Sequence, residues 1–175
     1  MRLENKTVGI LVGPGFEELE FWVVCMRLRE EGASVRIIAG EAGVEYRGKQ
    51  DSLPVKSEFS PRDLDAASLH ALHIPGGWAP DRMRRDPGIL SLVRRLDETG
   101  KIIGLICHGG LVGISAGILR GRRATGSEGI KDDLVNAGAV WVDEPAFREG
   151  NLVWGRVVED IPAYCRELIL AIESS

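Results

Sequence analysis

The chain has 175 residues, 44% hydrophobic and 27% charged, which is the length of one domain with ample apolar material for a core and excludes an intrinsically disordered chain. Acidic residues outnumber basic ones and the net charge is −4, which argues against a dedicated nucleic-acid surface and for small molecules as partners. No run approaches the roughly 18 apolar residues that span a bilayer, and Met1 to Lys6 carries no apolar signal segment, so no membrane association is expected and the expected setting is the cytoplasm.

Thr7 to Val12 is a short apolar, β-branched run closed by Gly13-Pro14-Gly15, a pattern that predicts a buried strand ending in a turn. A helix is predicted over Phe16 to Glu31, with Leu19, Val23 and Met26 at helical spacing, Phe21, Cys25 and Leu28 beside them, and Gly32 as the stop. Ser34 to Ala39 reads as the next strand. Between Gly40 and Pro61, Val44-Glu45-Tyr46 and Leu53-Pro54-Val55 suggest a small hairpin. Leu69 to Ile74 is a strand ending at Pro75-Gly76-Gly77, and Asp86-Pro87 opens a helix that stops at Gly100. Ile102 to Ile106 is the most continuous apolar strand, as expected at the centre of a parallel sheet covered on both faces. Leu111 to Leu119 reads as a buried helix and Gly129 to Asn136 as a short one. Ala139 to Val142 and Leu152 to Gly155 are short strands, and Ile161 to Ile172 is the last helix. This alternation predicts one doubly wound α/β sandwich domain over residues 1–175, mostly parallel in its sheet and with helices on both faces.

In such a sheet, ligands bind beyond the carboxyl ends of the strands, where Gly13 to Glu20, Gly76 to Asp81 and Cys107 to Gly110 converge. Ile106-Cys107-His108-Gly109-Gly110 places a thiol at an abrupt strand-to-helix turn followed by glycines, the layout of a nucleophile elbow. The helix N-terminus is expected to lower the thiol pKa, and the His108 N–H can stabilise an oxyanion. His108 is also a candidate base or thiolate partner. Glu17, Glu18 and Glu20 suit the positive end of the first helix, and one of them can face the thiol, stay protonated and donate to it. Gly13-Pro14-Gly15 lacks both the dinucleotide fingerprint and the phosphate-loop lysine. His70 and His73, three apart on a strand, point to opposite faces and form no metal pair. Cys25 and Cys165 read as buried hydrophobes, and Trp78 as a residue bordering the site. No metal or organic cofactor is indicated.

Six segments together match a known family. They are Gly15-Phe16-Glu17-Glu18-Leu19-Glu20, Ile74 to Asp81, Ile106-Cys107-His108-Gly109, Ile114 to Gly121, Gly129 to Asp133 and Asn136-Ala137-Gly138. The chain resembles the ThiJ/PfpI superfamily nearly end to end, most closely its PfpI-like branch. The resemblance implies a flavodoxin-like sandwich of the class I glutamine-amidotransferase type, although no histidine follows residue 108 to complete an amidotransferase triad. It implies Cys107 as nucleophile, Glu17 as the carboxyl that touches it, His108 assisting, and an oxyanion and substrate site at Gly76, Gly77 and His108 beside Ser127. It also implies homodimers, and hexamers of three dimers, in which Asp81 of a neighbouring subunit approaches the histidine. Gly110 and Ser127 depart from the residues usual in relatives, a proline and a tyrosine or histidine, and both substitutions are expected to widen the pocket.

Three functions share such a thiol. The preferred one is chemistry on reactive carbonyls, either glyoxalase III-like conversion of methylglyoxal to lactate or deglycase hydrolysis of glycated amines. A PfpI-like intracellular cysteine peptidase with an intersubunit Cys107/His108/Asp81 triad, acting on peptides, is the alternative. A redox sensor or stress chaperone is the non-enzymatic one.

Overall fold

The computed structural model describes residues 1–175. A six-stranded sheet runs through the molecule, built from β1 (Thr7–Leu11), β2 (Ser34–Ile38), β5 (Ala71–Ile74), β6 (Ile102–Ile106), β9 (Ala146–Glu149) and β10 (Leu152–Gly155), in the order β2-β1-β5-β6-β10-β9. The first five strands in that order are parallel, and β9 closes the edge antiparallel to β10. β5 and β6 are buried at every residue, as the unbroken apolar run of β6 predicts for a strand covered on both faces. Helices α1 (Glu18–Glu30) and α6 (Ile161–Glu173) pack together on one face of the sheet. On the other lie α2 (Ala79–Met83), α3 (Pro87–Glu98) and α4 (Gly110–Ala116). The chain is thus a flavodoxin-like α/β sandwich whose buried apolar side chains form one continuous cluster. No helix is long and apolar enough to cross a membrane.

The hairpin expected between Gly40 and Pro61 is β3 (Glu45–Tyr46) paired antiparallel with β4 (Val55–Lys56). The helix from Asp86 starts as its sequence dictates, with the Asp86 carboxylate accepting from the Gly88 and Ile89 N–H groups and Pro87 in the first turn. Apart from 3₁₀ turns, one helix and two strands lie outside the sequence reading: α2, β9 and β7 (Arg123–Ala124), each too short to show a period. β7 gives β8 (Val140–Trp141) its partner, so the strand predicted at Ala139 to Val142 belongs to a separate two-stranded ribbon. α4 ends at Ala116, where Gly117 takes a left-handed cap, rather than at Leu119. The short helix α5 (Lys131–Asn136) follows a 3₁₀ turn at Glu128–Ile130.

The strand order sets the location of the site. From β1 the chain crosses to β2 on one side, and its later strands build up on the other, so the loops after β1 and β5 part at the carboxyl edge of the sheet. That crevice, next to the end of β6, is where an open α/β sheet binds ligands.

Candidate active site

At the end of β6 the backbone turns through a 3₁₀ segment, Cys107–Gly109, directly into α4. Cys107 has φ 57°, in the left-handed region that non-glycine residues seldom occupy, at a cost of roughly 1–3 kcal/mol that the surrounding packing must sustain. Gly109 allows the turn to press against β5, because a Cβ there would run into the Ile74 carbonyl oxygen. The next glycine does not act as expected. A Cβ on Gly110 would point at Ile130, Leu134 and Trp154 at 3.1–3.3 Å, so Gly110 makes room for α5 and the core and does not widen the pocket.

The carboxyl against the thiol is Glu20, and the expectation that Glu17 touches Cys107 is corrected. Glu17 is the N-cap of α1, and its Oε2 turns back to accept the Glu20 N–H at 2.8 Å. Glu20, three residues on, is fully buried and points at the crevice, where its Oε2 accepts the Gly76 N–H at 2.6 Å. A Cβ on Gly76 would lie 2.7 Å from that oxygen and 2.9 Å from Cys107 Cβ, which shows how closely the three groups meet. Gly76 therefore holds the carboxyl, and its N–H is not free to serve an oxyanion. Burial raises the Glu20 pKa to about 7, although the Gly76 N–H opposes the shift. Its Oε1 is buried with no hydrogen-bond partner, a position that favours the protonated acid over the charge.

Cys107 Sγ lies 3.3 Å from His108 Nδ1, so the neighbouring imidazole does reach the sulfur. The backbone N–H groups of His108 and Gly77 both act on the sulfur and favour its charged form. The expected low thiol pKa is corrected: burial pushes Cys107 up to about 12, the Glu20 charge adds to the rise, and the two N–H groups act against it. α4 has seven residues and begins three positions after the thiol, too short and too distant for its dipole to prevail over burial. Thiol and carboxyl consequently titrate as one system, in which a proton on Glu20 removes the charge that opposes the thiolate. Burial lowers the His108 pKa, so its ring is neutral at neutral pH.

Cys107 and His108, with Glu20 buried behind them, open onto a cavity of about 610 Å³ whose walls include Gly77, Trp78, Asp81, Ser127 and Leu111. Trp78 is exposed at its rim. Asp81 lines the cavity, with its carboxylate 2.9 Å from Arg85 Nη2 one turn along the chain. Ser127 is held beside the elbow by its N–H, which donates to the Cys107 carbonyl. Lys49, from the β3–β4 excursion, and Arg82 also line the cavity; neither was singled out as a site residue, and the mixed composition of the excursion gave no sign that it returns to the active site. His73 is buried and structural, as expected, and Cys25 and Cys165 are buried free thiols. No group of three or more His, Cys, Asp or Glu is placed to hold a metal.

The family model for the DJ-1/PfpI family matches residues 6–171, and the chain belongs to that family. It is 40% identical over 154 residues to the protein named deglycase PH1704 of Pyrococcus horikoshii, covering 88% of this chain and 92% of that one. It is 34% identical over 166 residues to protein/nucleic acid deglycase 2 of Escherichia coli, covering 94% and 96%. Among solved structures, a two-domain protein of Anabaena variabilis with DJ-1/ThiJ/PfpI-like and ferritin-like domains superposes with a TM-score of 0.90 at 35% identity, over 91% of this chain and 48% of that one.

Proposed function

We propose that this protein is a cysteine-dependent enzyme acting on reactive carbonyls, either isomerising and hydrating methylglyoxal to lactate or hydrolysing early glycation adducts. The observation that carries the reading is the contact of a carboxyl of pKa about 7 with a thiol that the backbone N–H groups of Gly77 and His108 also reach. A group that titrates at the working pH can both take and return a proton. Deglycase is also the name carried by both relatives above.

In the lactate route, Cys107 sulfur adds to the aldehyde carbon of methylglyoxal, and the new oxyanion is held by the Gly77 and His108 N–H groups. Glu20 removes the hydrogen from that carbon and returns it to the adjacent keto carbon. The hemithioacetal becomes a lactoyl thioester, and water cleaves it to lactate and the free thiol, so methylglyoxal and water balance lactic acid. In the deglycase route, Cys107 sulfur displaces the amine at the tetrahedral carbinolamine carbon of the adduct: the S–C bond forms as the C–N bond breaks, the amine leaves with the proton given up by the thiol, and the hemithioacetal continues along the lactate route. His108 Nδ1, at 3.3 Å from the sulfur, is placed to relay protons in either.

The test is lactate formation from methylglyoxal by the wild type, Cys107→Ala and Glu20→Gln. Lactate from the wild type alone supports the reading, and equal lactate from Cys107→Ala overturns it. The same His108–sulfur contact supports a second reading, a peptidase completed by a homodimer that brings Asp81 of a second copy to His108. Peptide cleavage lost both in Asp81→Ala and on dilution to monomer would favour it.

A further inference from the structure

The charged groups around the cavity are unevenly partnered. Asp81 is the one carboxylate among the lining side chains, and Arg85, outside the cavity, engages it at 2.9 Å. Lys49 and Arg82 line the same cavity, and neither has a carboxylate within ion-pair distance. The Lys49 ammonium lies 5.9 Å from the centre of the Trp78 ring, on the rim of the opening. Its charge reaches the reacting groups: after burial, it is the other cause that lowers the His108 pKa, and it also acts on Glu20. With His108 neutral and Glu20, buried behind the thiol, protonated below about pH 7, the lining side chains of this chain sum to a single positive charge, in a cleft with apolar walls at Trp78 and Leu111. Such a cleft concentrates field lines and recruits an oppositely charged ligand.

We infer that the Cys107 cavity selects carbonyl substrates carrying a carboxylate, with Lys49 and Arg82 as the specificity-determining cations. One net positive charge suits a monoanion. The Arg82 guanidinium offers a fork of donors that fits a carboxylate, and Trp78 holds the Lys49 ammonium by its ring face. An adduct of methylglyoxal with an amino acid or a small thiol acid therefore binds ahead of the same adduct with its carboxylate masked. The substrate class rests on the carbonyl reading above, and the charge preference can be read without it.

The direct probe is alkylation of Cys107, in which the thiolate displaces iodide from iodoacetate, an anion, or from iodoacetamide, its neutral counterpart. Cys107→Ala supplies the blank for Cys25 and Cys165. The expected ratio of iodoacetate to iodoacetamide rate exceeds that of glutathione by about five-fold at low salt and falls as salt is added. Lys49→Gln combined with Arg82→Gln returns the ratio to the glutathione value, whereas Lys49→Arg retains it. A wild-type ratio equal to that of glutathione, or one unmoved by the double substitution, overturns the inference. A second arm compares lactate release from the methylglyoxal adducts of N-acetylcysteine and N-acetylcysteine amide. Selective alkylation with no lactate from either adduct upholds the anion preference and removes the carbonyl reading. Equal lactate from both, with unselective alkylation, overturns the preference and leaves the carbonyl reading standing.

Discussion

His73 Nε2 lies 2.9 Å from the Glu20 carbonyl oxygen, inside the first turn of α1. A carbonyl only accepts, so Nε2 carries the hydrogen, and Nδ1 takes the Tyr164 hydroxyl proton at 2.7 Å from α6. Strand β5 and the turn after it thus hold Glu20 at two points: His73 grips its main chain, and Gly76, three residues further on, grips its carboxyl. Gly104 leaves the space that the Tyr164 hydroxyl occupies.

The two buried groups impose opposite pH dependences on stability. Glu20 has a folded value of about 7 against an ordinary 4.5, raised chiefly by burial. Its contribution is full below 4.5 and is lost as pH rises towards 7. His73 is lowered by burial to about 4 from 6.5, so its contribution is full above 6.5 and is lost as pH falls towards 4. Each is worth on the order of 3 kcal/mol across its window, and between pH 4.5 and 6.5 they offset one another. Relative to the wild type, Glu20→Gln should lose stability on acidification through this range and His73→Asn should gain it. Urea midpoints at pH 4.5 and 6.5 measure both differences. Identical pH dependence in all three proteins would contradict the assignment.

Glu17 and Glu20 should separate cleanly into a structural and a chemical role. Glu17→Ala removes an N-cap and should cost about 1 kcal/mol, while lactate formation continues. Glu20→Gln keeps an oxygen for the Gly76 N–H but cannot titrate, so it should fold and form no lactate. Its Cys107 should still be alkylated, and the step near pH 7 in the wild-type alkylation profile should vanish. Thermal melts, lactate release and iodoacetamide rates together decide it.

The family resemblance points to Glu17, whereas the residues by themselves leave Glu17, Glu18 and Glu20 open, because the sequence misleads about the phase of α1. Reading Leu19, Val23 and Met26 as the apolar stripe of α1 turns the helix by part of a turn, and in the structure Leu19 and Met26 are exposed. The buried stripe is Phe21, Val24, Cys25 and Leu28. Glu20 lies one turn before Val24 on that face, so the correct phase would have placed it inward beside the thiol. The fold and the elbow were legible because they rest on continuous apolar runs and on glycines at fixed offsets, as at Ile102 to Gly110. The positions of Lys49 and Arg82 were not, because an excursion of two-residue strands and a five-residue helix carry no period that says where they return. The thiol pKa was misjudged for a related reason: position at a helix start is visible in a sequence, whereas the burial of Cys107 and the charge of Glu20 arise only from packing.

The two glycines after Cys107-His108 should respond very differently to a methyl group. At Gly109 a Cβ meets the Ile74 carbonyl, a backbone atom of a central strand that cannot move aside without breaking the β5–β6 register. At Gly110 the nearest atoms are side-chain ends, Ile130 Cδ1 at 3.1 Å and Leu134 Cδ2 at 3.3 Å, which can shift by a few tenths of an ångström. Gly109→Ala should therefore cost about 3 kcal/mol or more, and it should displace the His108 N–H that faces the sulfur, slowing alkylation of Cys107 and lactate formation together. Gly110→Ala should cost about 1 kcal/mol or less, since the methyl also improves helix propensity, and should leave both rates within two-fold. Urea unfolding with paired alkylation and lactate assays separates the cases. Equal effects from the two substitutions would mean that close contact between the elbow and β5 does not position the nucleophile.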